Sequence, residues 1–346
     1  MTSLERVLTT LGHKEPDRVP LFLLLTLHGA KELGLSIKDY FSKAKYVVEG
    51  QLTMQKKYQN DCFYTFFYAP LEVEAWGGEV IYVEDGPPNS GEPVIQSIEK
   101  ILSLDAPIVK NSKCLHKVLE ATSLIKATNE HVPIIGVVMS PFSLPVMQLG
   151  FDKYLELIYH YPIHFNRLMQ LNKAFCIEWA NAQLAAGATA ICYFDPLSSP
   201  TMIEPSLVRK TGFTIANELF TQINGPTATH LASGHTLSVM DDLAGLGTST
   251  VGVSSLEDLA ELKKVANHRF TLLGNLNGIE MCRWSVSEAE QKVKEAIGKA
   301  AVGGGFILSD NHGEIPYQVK EEVLMAISEA TREWGSYPIA QSLRNG

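Results

Sequence analysis

The sequence lacks the features that would place it in a membrane, on nucleic acid or in an oxidising compartment. No apolar run approaches the roughly 20 residues needed to cross a bilayer. The opening Met-Thr-Ser-Leu-Glu-Arg lacks the basic and apolar segments of a secretory leader. Basic residues number 29 against 38 acidic ones, for a formal charge of −9, and they never cluster into a run that could track phosphates. The five cysteines (Cys62, Cys114, Cys176, Cys192 and Cys282) are odd in number and form no CxxC pair. That pattern fits reduced thiols and excludes paired zinc-finger motifs. Gly303-Gly304-Gly305 precedes an apolar run instead of joining a strand to a helix, and no Lys-Ser or Lys-Thr follows, so a nucleotide-binding loop is rejected. A cytoplasmic protein with neither nucleic-acid nor membrane partners is expected.

The sequence does contain enough apolar side chain, 45% of 346 residues with only 19% charged, to fill one large core. Apolar runs of strand length fall at 19–25, 62–68, 133–139, 188–194, 227–231, 250–253, 270–273 and 305–308, eight in all. Segments with helical spacing lie between them, at 154–184, 205–220, 285–301 and 319–334, and Ser285 with Glu288 forms a capping box. Strands alternating with helices predict a parallel sheet, and eight of them predict an α/β fold of the (β/α)8 barrel type. One domain over 1–346 is expected, with an excursion near 82–107 where Gly, Pro and Asp are dense.

Barrels of this type carry their chemistry on the loops after the strands. The residues at that edge are His28, Glu72 with Glu74, Ser140, Asp195, His230, Ser254, Asn275 and the cluster Asp310, Asn311, His312 and Glu314. Polar and ionisable groups gather there more often than loop composition requires, which points to an enzyme. Glu72 and Glu74 would face one way if the strand continued through them, although a solvated edge strand explains them almost as well. Asp195, before a proline, suits either substrate contact or a turn. His28 and Ser140 are candidate substrate contacts, and Asn275 is a candidate neutral donor. Cys192, inside a strand run, reads as a small core residue. Phe22, Phe66, Phe67, Phe142 and Tyr193 are compatible with a pocket for an aromatic ring.

Several segments together resemble signatures of the uroporphyrinogen decarboxylase superfamily. They are Pro16-Asp17-Arg18-Val19-Pro20, Glu72-Val73-Glu74-Ala75-Trp76-Gly77, Ser140-Pro141-Phe142-Ser143, Asp195-Pro196 with Ser199-Pro200 and Glu204-Pro205, Leu273-Gly274-Asn275 and Gly304-Gly305-Phe306. The decarboxylases of that superfamily carry an arginine-rich loop after the first strand, whereas Leu24-Leu25-Thr26-Leu27-His28-Gly29 has no arginine. The Glu72-x-Glu74 element is similar instead to the cobamide-dependent methyltransferases. Their zinc is held by His-x-Cys and a later Cys. Here Thr229-His230-Leu231-Ala232 keeps the histidine, and His312 stands at the later cysteine position.

The resemblance therefore implies zinc held by His230 and His312, with Glu74 or Glu314 completing the set and Asp310 competing for that role. The bland reading of His312 is a loop cap satisfied by Asp310; that of His230 is a hydrogen-bonded histidine without metal. His235 reads as a surface or helix-start residue. Imidazole and carboxylate ligands would leave zinc more electrophilic than thiolates do, suited to polarising a carbon–heteroatom bond. The implied reaction takes methyl from a small O-methyl donor, a methoxylated aromatic being one candidate, to the cob(I)amide of a partner corrinoid protein. Glu74, Asp195 and Asn275 are the candidate catalytic residues. Transfer from methylcobamide to a thiol or pterin, a metal-free decarboxylase, and a barrel that only binds a corrinoid protein are the competing readings.

Overall fold

Seven of the eight apolar runs form hydrogen-bonded parallel strands in the computed structural model, which describes residues 1–344. They are β1 (Phe63–Tyr64), β2 (Ile134–Met139), β3 (Ala190–Phe194), β4 (Thr227–His230), β5 (Thr250–Gly252), β6 (Thr271–Leu276) and β7 (Phe306–Asp310), each paired with the next in chain order. The eighth run, 19–25, closes the barrel differently. Leu21 makes a single parallel bridge to Leu308 of β7. On its other side, one backbone bond, from the Asp61 amide to the Leu21 carbonyl at 2.7 Å, is joined by side chains in place of a ladder. The Leu21 amide donates to Asp61 Oδ2 at 2.9 Å, the Leu23 amide donates to Asn60 Oδ1 at 3.0 Å, and Asn60 Nδ2 donates to the Leu23 carbonyl at 3.1 Å. Pro20 has no N–H to offer a neighbouring strand, which is one reason a regular ladder does not form. Fully buried Asp61 is matched by two guanidinium groups, with Arg6 Nη1 at 2.6 Å and Arg18 Nη1 at 2.8 Å.

Alternation along the strands divides the core in two. Phe22, Leu24, Cys62, Tyr64, Val137, Cys192, Leu273 and Ile307 point into the barrel and pack together. Val7 of α1 (Ser3–Leu11) closes that interior from below, and α1 begins at a capping box built by Thr2 and Glu5. The opposite faces of the strands meet the helical layer.

Several boundaries differ from expectation for identifiable reasons. The predicted 154–184 helix is two helices, Phe151–His160 and Pro162–Ala185, because Pro162 cannot donate the bond that would continue the first. A two-residue hairpin, Val80–Ile81 against Asn89–Ser90, lies outside the barrel sheet. The 62–68 run keeps strand pairing only at Phe63 and Tyr64. Glu72 and Glu74 fall on a short helix, Leu71–Ala75, not on a strand. At helical spacing they diverge, so the expectation that they share a direction is overturned.

Glu72 turns inward and Oε1 accepts the Met139 amide at 2.8 Å, tying this helix to the end of β2. Burial pushes its carboxyl up to about 8. The native state therefore holds a proton that the unfolded chain releases above about 4.5, and stability should fall as pH rises between those values. Thermal melts from pH 5 to pH 8 should show this loss, on the order of 3 kcal/mol, and Glu72→Gln should remove most of it. Parallel stability curves for the two proteins would refute the assignment.

Candidate active site

The register of the central strands builds the site. Phe194, His230 and Gly252 are neighbours across β3, β4 and β5 at the C-terminal edge. The His230 ring stacks on Phe194 with centroids 5.2 Å apart and planes at 26°. A Cβ on residue 252 would lie 2.4 Å from His230 Cδ2, so the glycine makes the space the imidazole occupies. His230 is 1% exposed, and neither ring nitrogen has a hydrogen-bond partner. Burial first, then the nearby His312, brings its pKa down to about 4, so the ring is neutral and presents one N–H and one lone pair.

The loop after β7 crosses the mouth. The amides of His312 and Gly313 donate to Asp310 Oδ2 at 2.8 and 3.1 Å, which turns the chain sharply. Gly313, at φ +92°, lies so close to Phe194 that a Cβ would fall 2.4 Å from the ring. Inward-facing Tyr64 donates to the Gly313 carbonyl at 2.9 Å, and the Ile315 amide donates to the Leu24 carbonyl at 3.0 Å, so the loop is fastened on both sides. His312 is half-buried, with Nε2 3.4 Å from Asn277 Oδ1. Thr26 donates to Glu314, and burial raises the Glu314 carboxyl to about 7, with the charge of Asp310 adding to the rise. Burial also raises Asp310, to about 6, against the backbone amides that favour its ionised form, and its Oδ1 has no partner. The loop that carries Asp310, His312 and Glu314 thus packs against Phe194, the ring on which His230 stacks, and brings His312 near His230.

The other candidates sit elsewhere. Asp195 is sealed beneath the edge, its Oδ1 accepting the hydroxyls of Ser140 and Ser143, each at 2.6 Å, while its amide donates to the His230 carbonyl at 2.8 Å. Ser143 was not singled out in the sequence, although it stands three residues after Ser140 in the same motif. These groups fix the loops beside His230, which itself ends β4. Asn275 Nδ2 donates to the Ser254 carbonyl at 2.9 Å, and the Ser254 hydroxyl donates to the Ser233 carbonyl at 2.9 Å, so this pair binds backbone. Buried His28 opens the helix His28–Leu33. Its ring nitrogens are unpartnered, its nearest aromatic neighbour is Tyr317 at 6.1 Å, and burial lowers its pKa to about 3. Glu74 accepts from the Tyr68 hydroxyl at 2.6 Å. Phe67, Phe142 and Tyr193 are fully buried and Phe22 lies in the barrel interior.

A catalytic zinc site uses three protein ligands. His230 offers free nitrogens near His312 and Asp310 an unpartnered Oδ1, while Glu74 and Glu314 each accept a hydroxyl on one oxygen, from Tyr68 and Thr26. Among the described residues, no group of three or more His, Cys, Asp and Glu side chains is gathered as a metal requires. The residues do not fit the expected zinc centre, and no chemical step is derived through one. No helix among the described residues is long and apolar enough to cross a membrane.

A profile described as "Uroporphyrinogen decarboxylase (URO-D)" matches residues 2–334. The chain is 27% identical over 162 residues to a methylcobamide:CoM methyltransferase of Methanosarcina barkeri, a stretch covering 46% of this chain and 48% of that relative. The match thus spans about half the relative's length. It is also 27% identical over 256 residues to a uroporphyrinogen decarboxylase of Coxiella burnetii, covering 69% and 68% of the two chains. A methyltransferase structure from Methanosarcina mazei shares the fold with a TM-score of 0.86 at 20% identity, over 96% of this chain and 99% of the other.

Proposed function

This chain belongs to the uroporphyrinogen decarboxylase family, and from that premise we propose that it is a methyltransferase that works with a corrinoid protein. In this reading it takes methyl from a small O-methyl donor and delivers it to the cob(I)amide of the partner, which docks at the barrel mouth. The similarity to methylcobamide:CoM methyltransferases supports the class of reaction. The observation that carries the reading is the neutral, unpartnered His230 imidazole at the C-terminal edge of the barrel, stacked on Phe194, against which the loop carrying the two burial-raised carboxyls Asp310 and Glu314 packs through Gly313.

When methyl leaves an ether oxygen, that oxygen keeps the bonding pair and needs a hydrogen bond or a proton. The His230 N–H can supply the first. Glu314, partly protonated near neutrality, can supply the second. A decarboxylase of polycarboxylates needs cations to grip its substrate. The segment after residues 19–25 has no arginine; it offers His28, which burial keeps neutral, and Lys31, whose ammonium donates to the Tyr317 carbonyl.

The test is incubation of the protein with cob(I)alamin and methoxyarenes, methylamines or methanol, following the corrinoid absorbance. Methylation with a methoxyarene is the expected result. Failure with every donor, together with decarboxylation of a tetrapyrrole, would overturn the reading.

A further inference from the structure

A cleft of about 470 Å³ opens beside the mouth, between the loops that follow β2, β3, β4 and β5. Its size falls within the range of small-molecule sites, about 300–1,000 Å³. It lies at the same edge of the barrel as His230: the imidazole faces the barrel interior with Tyr64 and Ile307, and the chain leaving His230 becomes the Leu231–Gly234 turn that forms one wall of the cleft. Three methionines, Met139, Met147 and Met202, line it together with Phe151 and Leu256. Met202, Phe151 and Leu256 are 51%, 38% and 72% exposed, an apolar surface left open to water at the edge of the site.

The charge content of this lining is the informative feature. No Asp, Glu, Lys, Arg or His side chain is among the described residues that line the cleft. Its polar groups are largely engaged already. The Ser143 hydroxyl donates to Asp195 and accepts the Leu197 amide, and the Thr201 hydroxyl pairs with Ser199 at 2.6 Å. A charged substituent placed here would lose its hydration with nothing to replace it. A neutral ring would instead gain apolar burial and thioether–aromatic contacts.

We infer that this cleft is the subsite for the non-methyl part of the donor, and that it takes an uncharged aromatic ring while rejecting rings bearing a carboxylate or a quaternary ammonium. The assignment rests on the methyltransferase reading for its purpose, but its test does not need methyl transfer. Titration calorimetry on the whole chain, without corrinoid, would compare 1,2-dimethoxybenzene with 3,4-dimethoxybenzoate and (3-methoxyphenyl)trimethylammonium. The neutral ring should bind at least ~10-fold more tightly than either charged one. Met202→Lys, at a half-exposed position, should weaken the neutral ring by about 10-fold and improve the benzoate, and Met147→Lys should act in the same direction.

Equal or tighter binding of the benzoate to the unmodified protein would overturn the inference. So would no binding of any of the three compounds, or affinities that neither lysine variant moves while both variants melt as the parent does. If the neutral ring binds as stated but no methoxyarene methylates cob(I)alamin, the methyltransferase reading fails and the cleft keeps only its selectivity for uncharged aromatic rings. If methyl transfer occurs only from donors without a ring and the rings do not bind, the reverse holds.

Discussion

Replacing His230 with alanine is expected to lower methyl transfer to cob(I)alamin by about 10²–10³-fold, the usual cost of removing one hydrogen-bond donor from a developing oxyanion. The melting temperature should change only modestly, because relief of two buried nitrogens that nothing in the protein satisfies opposes the cavity and the lost stacking on Phe194. Most buried polar side chains contribute to stability through their partners. His230 has none, so no hydrogen bond within the protein accounts for an imidazole at 1% exposure. Gly252→Val provides the orthogonal test. It leaves the imidazole in the sequence but puts side-chain atoms where the ring lies, since even a Cβ would approach Cδ2 to 2.4 Å. The same loss of transfer is expected, here with about 1–3 kcal/mol of destabilisation from overpacking. Full activity in either variant would remove His230 from the mechanism.

The barrel was legible in the sequence because each strand run is short, apolar and bounded by polar turns, and seven of the eight became ladder strands. The exception, 19–25, was equally apolar. What its composition could not reveal is that Asn60 and Asp61, distant in sequence, supply side-chain partners for its backbone. Residues 71–75 misled for a related reason. Alternating glutamates read as strand parity, but Pro70 ends the preceding extended segment and the chain turns into a helix there. In the site, positions at strand ends correctly marked the edge of the barrel. They could not tell a side chain that faces the mouth from one that fastens a loop. Asp195 and His230 stand at equivalent ends of adjacent strands, yet one is saturated by serine hydroxyls and the other has no partner. That difference depends on Ser140 and Ser143 reaching across from β2, and periodicity carries no information about it.

Glu314→Gln is expected to slow methyl transfer by about 10²–10⁴-fold, the range for loss of a general acid, while leaving donor binding within a small factor. The pH profile makes the role specific. A carboxyl raised to about 7 acts as an acid while protonated, so the rate should be level at low pH and fall as pH rises through that value. The glutamine variant should lose this limb, and Glu314→Asp should restore part of the rate. Two neighbours should move the limb in opposite directions. The Thr26 hydroxyl favours the ionised form of Glu314, so Thr26→Val should carry the limb to higher pH. The Asp310 charge opposes ionisation, so Asp310→Asn should carry it lower. A purely structural Glu314 could explain lower rates in all of these variants, but not opposite displacements of one limb by two substitutions that touch the carboxyl from different sides. If both substitutions leave the limb in place, the proton donor is another group and Glu314 only shapes the loop.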